Sequence, residues 1–488
     1  MPLTARTVLA AVVASIAIPV LSAGPAEELE PQAKRFLDVF GLLSDRAAVP
    51  VEPAAAVYAG ALPAMLWTLD PHSAFLTADQ VESLREMQRS TEKGFGSVVN
   101  LLPGRVIVLQ TLPDSPSARA GITPGDEILA LNGQPLGQLP VEQLVAVLGR
   151  ARQGRAQLMV RRPNFPNLLD MTMIPAEMAD PSVSRQFLLA PGVAYAKILN
   201  FEAETARELT AAVERLGGAQ LRGAVLDLRG NPGGIVEVAV QVAAYFLETG
   251  DRILWVRGRT GPMEEVLVPD DAQPYRFPVR ILVDDRTASA AELVAGALQD
   301  HGRARVLGTR TFGKGLVQSV SELSGGTALA LTTAFYLTPS QRPIQRWRGR
   351  CGQFQISPCE QGHSSQPDLG GIEPDRTMQP RILTPLEQVL LASNSFLEFA
   401  RNLVADGADV DESFEPSNAM LDEFQFYLSQ RGIRPSLAEW STTLDFIRAG
   451  LKQEALNLTL GVAAGDEVEL RRDPVVRAAL EEILSLHR

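Results

Sequence analysis

The sequence predicts an α/β core with a mixed sheet, a smaller strand-rich domain inserted between it and a helical amino-terminal segment, and a helical carboxyl-terminal region. Three observations lead there. Apolar runs of strand length alternate with helical periods between residues 193 and 299; residues 91–165 are short apolar runs and glycine turns around a single helical stretch; and residues 27–90 and 385–488 repeat at helical spacing. At 488 residues the chain has room for about three packed units.

The elements follow in order. Residues 1–23 open with Arg6, run apolar from Val8 to Leu21 and end in Ser22 and Ala23, the layout of a secretory signal peptide. Pro19 cuts the run short of the ~20 residues a membrane-spanning helix needs, so the expectation is an exported chain, periplasmic or extracellular, with no transmembrane span when mature. Residues 28–43 and 54–69 read as amphipathic helices, followed by a turn at 70–73. In 91–165 the strand-like run 105–112 and the helix 140–150 make a compact unit.

From 166 to 384 strands at 193–201, 223–228, 252–257 and 279–283 alternate with helices at 204–216, 235–247 and 289–299, a pattern for a largely buried sheet. A hairpin, 316–323 with 327–337, is expected to join that same sheet, and residues 344–370 read as a polar surface loop. Helices are expected at 388–403, 418–431, 437–456 and 475–486, as a layer that covers the core or mediates self-association.

Composition removes several functions. A net charge of -12 repels phosphate backbones, so nucleic acid is not an expected partner. Two cysteines, Cys351 and Cys359, cannot build a four-thiolate zinc site; in an oxidising compartment they either close a short loop or remain thiols. The four histidines, at 72, 301, 363 and 487, form no His-Glu-x-x-His pair, and no Gly-x-Ser-x-Gly elbow exists. His301, after Asp300 at a helix end, reads as a dipole-complementing residue. No metal or cofactor is expected.

Of the 45 cationic side chains only five are lysine, so Lys314 in Thr311-Phe312-Gly313-Lys314-Gly315 invites a reason. Arginine keeps its proton in proteins, whereas a desolvated lysine amine can lose one and act as a general base, provided burial brings its pKa from about 10.4 towards 7 or 8. Gln318, four residues on, falls on the same face and can hold that amine without adding charge. Ser289 stands where a strand delivers the chain to a helix start, within reach of free N–H groups; the same Ser289-Ala290-Ala291-Glu292 also reads as a plain capping box. Asp227-Leu228-Arg229-Gly230-Asn231-Pro232-Gly233-Gly234 follows another strand. Loops at the carboxyl ends of parallel strands share one edge, so the N–H groups of Gly233 and Ala290 can converge on one carbonyl oxygen, although two adjacent glycines also suit a tight turn. In the smaller domain, Gly94-Phe95-Gly96 offers N–H groups for a chain-terminal carboxylate, and Leu144 and Leu148 either line an apolar slot or are ordinary core.

Two resemblances sharpen these alternatives. With Ala120-Gly121-Ile122, Pro124-Gly125-Asp126-Glu127-Ile128 and Leu131-Asn132-Gly133, residues 91–165 resemble a PDZ domain. Over roughly 35–380 the chain resembles the carboxyl-terminal processing proteases, on Leu69-Asp70-Pro71-His72-Ser73, the Asp227–Gly234 stretch, Ala288-Ser289-Ala290-Ala291-Glu292, Gly296-Ala297-Leu298-Gln299-Asp300, Thr311-Phe312-Gly313-Lys314-Gly315 with Val317-Gln318, Leu331-Thr332-Thr333-Ala334 and Gly371-Ile372-Glu373-Pro374-Asp375. The resemblance implies a serine endopeptidase with Ser289 as nucleophile, Lys314 as base, Gln318 orienting Lys314, and Gly233 and Ala290 as the oxyanion hole. It implies a PDZ domain that takes apolar carboxyl-terminal tails of exported proteins, an adaptor protein as a further partner, and homo-oligomers through the carboxyl-terminal helices. An insertion around 351–365 departs from the family. The rival class is a catalytically inactive PDZ scaffold or apolar-ligand-binding protein on the same core; an amidase or esterase using the same dyad is a third.

Overall fold

The computed structural model describes residues 26–70, 72–83, 93–178, 181–259, 261–346, 370–379 and 381–487. The apolar segment 8–21, both cysteines, His363 and the insertion at 351–365 lie outside them. Among the described residues no helix is long and apolar enough to cross a membrane.

The lead-in begins with α1 (Ala26–Arg46), which leaves Leu29, Leu37, Val39 and Leu42 exposed. The second expected helix is a π-helical turn over Ala55–Ala61 followed by α2 (Leu62–Trp67). Pro63 accounts for the difference: it has no N–H to donate into the preceding turn and its ring crowds that turn, which widens. His72 and Ser73, whose N–H groups both donate to Asp70 Oδ1, then lead into β1 (Ala74–Leu76).

The strand-rich domain comprises β2 (Lys93–Gly94), β3 (Ser97–Leu102), β4 (Arg105–Thr111), α3 (Pro116–Arg119), β5 (Glu127–Leu131), β6 (Gln134–Pro135), α4 (Val141–Ala151), β7 (Ala156–Arg161), β8 (Leu169–Met173) and β9 (Ala176–Glu177). Its main sheet runs β3-β4-β5-β7-β8, all antiparallel, so the unit continues past residue 165 to Met173. Along β7 buried and exposed residues alternate, the signature of a sheet with one face in a core and one in water. That core holds Val106, Val108, Ile128, Leu144 and Val160.

The larger core contains β10 (Val183–Ala190), β11 (Val193–Ile198), α5 (Thr205–Leu216), β12 (Gly223–Asp227), α6 (Val236–Ala244), β13 (Arg252–Gly258), β14 (Glu264–Leu267), β15 (Val279–Val283), α7 (Ala290–Asp300), β16 (Ala304–Gly308), β17 (Leu316–Glu322), β18 (Ala328–Leu337) and β19 (Arg376–Thr377). One six-stranded sheet has the order β10-β11-β12-β15-β16-β19, parallel except for β10 against β11. β12 and β15 are buried at every position, which is why they read as continuous apolar runs. The hairpin β17–β18 and the strand β13 do not join this sheet as expected. They form a second, antiparallel sheet with β1 and β14. Strand-like periodicity marks a strand without naming its neighbour, so it could not separate the two sheets.

The carboxyl-terminal region is α8 (Pro385–Ala392), α9 (Ser395–Ala405), α10 (Asn418–Gln430), α11 (Leu437–Thr459), α12 (Val462–Arg472) and α13 (Pro474–Ser485). The expected single helix 388–403 is broken at Asn394, which sits at φ 53°, and α12 was not expected. This region packs on both domains. Ile107 of β4 is fully buried against Leu397, Ala400, Ala455 and Leu456, while Val475, Val476, Ala479 and Ile483 cover Tyr195, Val225, Leu282 and Leu307 of the six-stranded sheet.

Candidate active site

Ser289 follows the loop at the carboxyl end of β15 and precedes the first residue of α7. Its backbone is at φ 56°, ψ -122°. A residue that merely caps a helix takes an extended conformation, and positive φ is strained for any residue with a Cβ, so this backbone departs from simple capping. Loops from neighbouring strands hold the turn in place. Gly230 N donates to Asp284 Oδ1 at 2.8 Å, Thr287 Oγ1 to Leu228 O at 2.9 Å, and Ala288 N to Asn231 O at 2.9 Å.

Gly233, at φ 104°, lies directly against the nucleophile turn. A Cβ there would stand 2.7 Å from Ser289 Cβ, closer than side chains tolerate, and 3.0 Å from Ala290 N. Gly234 is as crowded, with a hypothetical Cβ 2.2 Å from Phe201 O. The two glycines thus serve close approach as well as turning. The structure brings Gly233 and Ala290 together beside Ser289, but the Gly233 N–H already donates to Asn231 Oδ1 at 2.8 Å, and Asn231 is itself buried with Nδ2 on Ile198 O at 3.0 Å.

Lys314 stands just before β17, half-buried. Its backbone is tied to the nucleophile turn through Glu292, which is fully buried. Glu292 Oε2 accepts from Ser289 N and from Lys314 N, each at 2.8 Å; Oε1 accepts from Thr311 Oγ1 at 2.5 Å and Gly313 N at 2.8 Å. Burial pushes the Glu292 carboxyl above its ordinary range, opposed by these four donors. Among the described residues no hydrogen bond or ion pair is made by the Lys314 amine itself, so the structure joins the serine and lysine by their backbones.

Gln318, on β17, is exposed and donates through Nε2 to His72 O at 3.0 Å. The turn that presents His72 is held by Asp70, whose Oδ1 accepts from His72 N and Ser73 N at 2.7 Å and whose Oδ2 accepts from Ser73 Oγ at 2.8 Å. Ser73 Oγ in turn accepts from Thr332 N at 3.1 Å. The motif therefore supports β18, the strand paired with the one that carries Gln318, and offers His72 O to the Gln318 side chain, a role no local pattern announces.

At the root of the glycine loop lies Asp227, fully buried. Tyr195 OH donates to Oδ2 at 2.7 Å, and Arg229 Nη2 to the same oxygen at 2.6 Å. Lys197 Nζ lies 3.4 Å from Oδ1 and donates to Arg229 O at 2.7 Å. Burial alone would raise the Asp227 pKa, but the Arg229 and Lys197 charges and the Tyr195 hydroxyl hold it down at about 2. The same burial lowers Lys197.

In the smaller domain Gly96 is at φ 71°, and a Cβ there would meet Ser115 Cβ at 2.3 Å. Phe95 O accepts from Ser117 N and Gly96 O from Leu112 N, so the Gly94-Phe95-Gly96 loop is anchored by its carbonyls. Leu144 is fully buried in the core and is not part of an open slot; Leu148 is only partly buried. The helix turns Leu144 onto the sheet, since its next-turn neighbour Val147 packs into the same core. Among the described residues no group of His, Cys, Asp or Glu is placed to hold a metal ion.

A family model described as peptidase family S41 matches residues 192–351, and a PDZ-domain model matches residues 107–162. The chain is 32% identical over 292 residues to carboxy-terminal processing protease CtpA of Bacillus subtilis, taking in 57% of this chain and 59% of that protein. It is 31% identical over 322 residues to the carboxy-terminal-processing protease of Bartonella bacilliformis, taking in 64% of this chain and 73% of that protein. The chain thus spans under two thirds of the first relative's length and more than two thirds of the second's. Among solved structures, the photosystem II D1 C-terminal processing protease aligns with a TM-score of 0.43 and 24% identity, covering 74% of this chain and 95% of that one.

Proposed function

We propose that this chain, which belongs to the carboxyl-terminal processing proteases, is an exported serine endopeptidase that uses Ser289 and Lys314. The observation that carries the reading is the shared Glu292 oxygen, which bonds the backbone N–H groups of both residues at 2.8 Å, on a Ser289 whose backbone is held at the strained φ of 56°. A binding protein gains nothing from that strain.

In the proposed reaction the Lys314 amine takes the proton of Ser289 Oγ as the oxygen attacks the scissile carbonyl carbon. The oxyanion is received by the N–H groups of Ala290 and Gly233, with Asn231 Oδ1 yielding its hold on Gly233. The tetrahedral intermediate collapses, the C–N bond breaks, and the leaving amine takes the proton from Lys314. Water then gives a proton to Lys314 while attacking the acyl ester, and collapse of the second intermediate returns that proton to Ser289 Oγ and frees the new carboxyl end. Gln318 orients the Lys314 amine. Its bond to His72 O engages the amide nitrogen and leaves the oxygen to accept.

The PDZ domain supplies the tail-binding surface for apolar carboxyl-terminal segments of protein substrates, through the anchored loop at 94–96 and the half-buried Leu148. Purified protein should cleave a substrate with an apolar carboxyl-terminal tail, and Ser289→Ala and Lys314→Ala should each lower kcat at least about a thousandfold. Equal product from all three proteins overturns the reading.

A further inference from the structure

Among the described residues the carboxyl-terminal region reaches the catalytic loops at one charged contact, Arg229 with Asp473. Asp473 sits between α12 and α13 and uses its two oxygens differently. Oδ1 caps α13, accepting from Val475 N at 2.7 Å and Val476 N at 3.2 Å, while Oδ2 accepts from Arg229 Nη1 at 2.6 Å. Arg229 is therefore gripped from both ends, since its Nε and Nη2 bond Asp227 at 3.0 and 2.6 Å. From Arg229 the chain runs straight into Gly230–Gly234, the loop that meets Ser289.

We infer that Asp473 is a positioning residue for that loop, holding Arg229 so that Gly233 stays against the nucleophile turn. Charge supports the assignment. Asp227 and Asp473 balance Arg229 and Lys197 in a network whose central carboxylate is sealed from water. Without Asp473 the network carries one uncompensated positive charge, which is unfavourable in buried surroundings and draws the guanidinium outward.

The mounting is rigid enough for the task. α13 is anchored on the six-stranded sheet through Val475, Val476, Ala479 and Ile483. The preceding helices are fixed to the PDZ domain by the buried contact at Ile107, by Val462 N donating to Gln110 Oε1 at 3.0 Å, and by Arg401 Nε donating to Gly125 O at 3.1 Å. The region joins the PDZ domain to the root of the glycine loop, which neither domain does alone.

The inference rests on the peptidase reading, so its test has one arm that does not. Asp473→Asn and Asp473→Ser both keep a good helix cap and remove the charge. With a short soluble peptide substrate, kcat should fall about tenfold while KM stays within about twofold, the pattern of a misplaced transition-state donor. Asp473→Glu should recover most of the loss. Hydrogen exchange at the amides of residues 230–234 should quicken at least about tenfold in the Asn and Ser variants, while exchange in the middle of α13 is unchanged. Wild-type kcat and wild-type loop exchange in both variants overturn the inference, as does a loss of kcat that merely follows the unfolded fraction. If the wild-type protein cleaves nothing, the peptidase reading fails, and the exchange data still decide whether Asp473 holds the loop.

Discussion

Two fully buried carboxylates, Glu292 in the nucleophile turn and Asp227 at the root of the glycine loop, are held in opposite ways. Glu292 joins the nucleophile turn to the lysine segment through four neutral donors, and burial pushes its pKa up. Asp227, at the root of the glycine loop, faces Arg229 and Lys197, and its pKa falls to about 2 despite complete burial. Depth is the same, so the partners decide. Neutral donors orient a carboxylate without cancelling its charge, whereas cations do both. One loop of the site is thus tied by geometry and the other by charge.

The largest effect is expected where charge does the holding. Asp227→Asn leaves Asp473 as the one carboxylate facing Arg229 and Lys197, a positive charge in excess in a largely buried network, and should cost about 3–5 kcal/mol of unfolding free energy, measured by denaturant titration. A loss below about 1 kcal/mol would show that the remaining Arg229–Asp473 pair holds the network without the Asp227 charge. Glu292→Gln should cost less, about 2–3 kcal/mol. Its amide oxygen can still serve Thr311 and Gly313, but its NH2 then meets the Ser289 and Lys314 N–H groups, leaving donors unpaired. Activity should fall with it, because the backbone link between nucleophile and base is lost.

The signs of the two pKa shifts give a third prediction. Asp227 has a folded-state pKa below its ordinary 3.8, so its contribution is present above that value and is lost as pH falls towards about 2, on the order of 2 kcal/mol in all. Glu292 is shifted upward from 4.5, so the folded state holds its proton more tightly, and its contribution declines as pH rises from 4.5 through the raised value. Unfolding free energies measured from pH 2 to 7 should lose the acid limb in Asp227→Asn and the opposite slope in Glu292→Gln. Identical profiles in wild type and both variants would remove the contrast.

What the sequence could say about this site followed from how local each feature is. Ser289, Lys314 and the Asp227–Gly234 run announce themselves because strained turns and scarce lysines leave marks within a few residues. The buried strands β12 and β15 were equally legible, being apolar at nearly every position. Glu292 was readable only as a cap partner of Ser289; that it also accepts from Thr311, Gly313 and Lys314 depends on a fold that brings residues about twenty positions away to it. Asp473 lies 244 residues from Arg229, beyond any pattern of spacing. Leu144 fits groove and core alike by periodicity, and only packing sends it to the core. The helix α12 escaped because Val462–Arg472 is mostly small and charged, with no apolar stripe.

The smallest expected change in stability separates the pinned residues from the one that touches neither carboxylate. Gln318 is exposed, and its observed bond is a single one to His72 O in a turn that Asp70 and Ser73 already hold. Gln318→Ala should therefore alter unfolding free energy by less than about 0.5 kcal/mol, as for a surface side chain. If Gln318 orients the Lys314 amine, kcat should nonetheless fall about tenfold with KM little changed, because only the transition state needs the amine aimed. Gln318→Glu separates aim from charge: a carboxylate can aim the amine equally well but stabilises its protonated form, so activity should recover only at higher pH. A Glu variant as active as wild type at neutral pH would mean that Gln318 acts through His72 and the lead-in turn. A stability loss of several kcal/mol in Gln318→Ala would mean that the base side of the site is pinned as tightly as the nucleophile side.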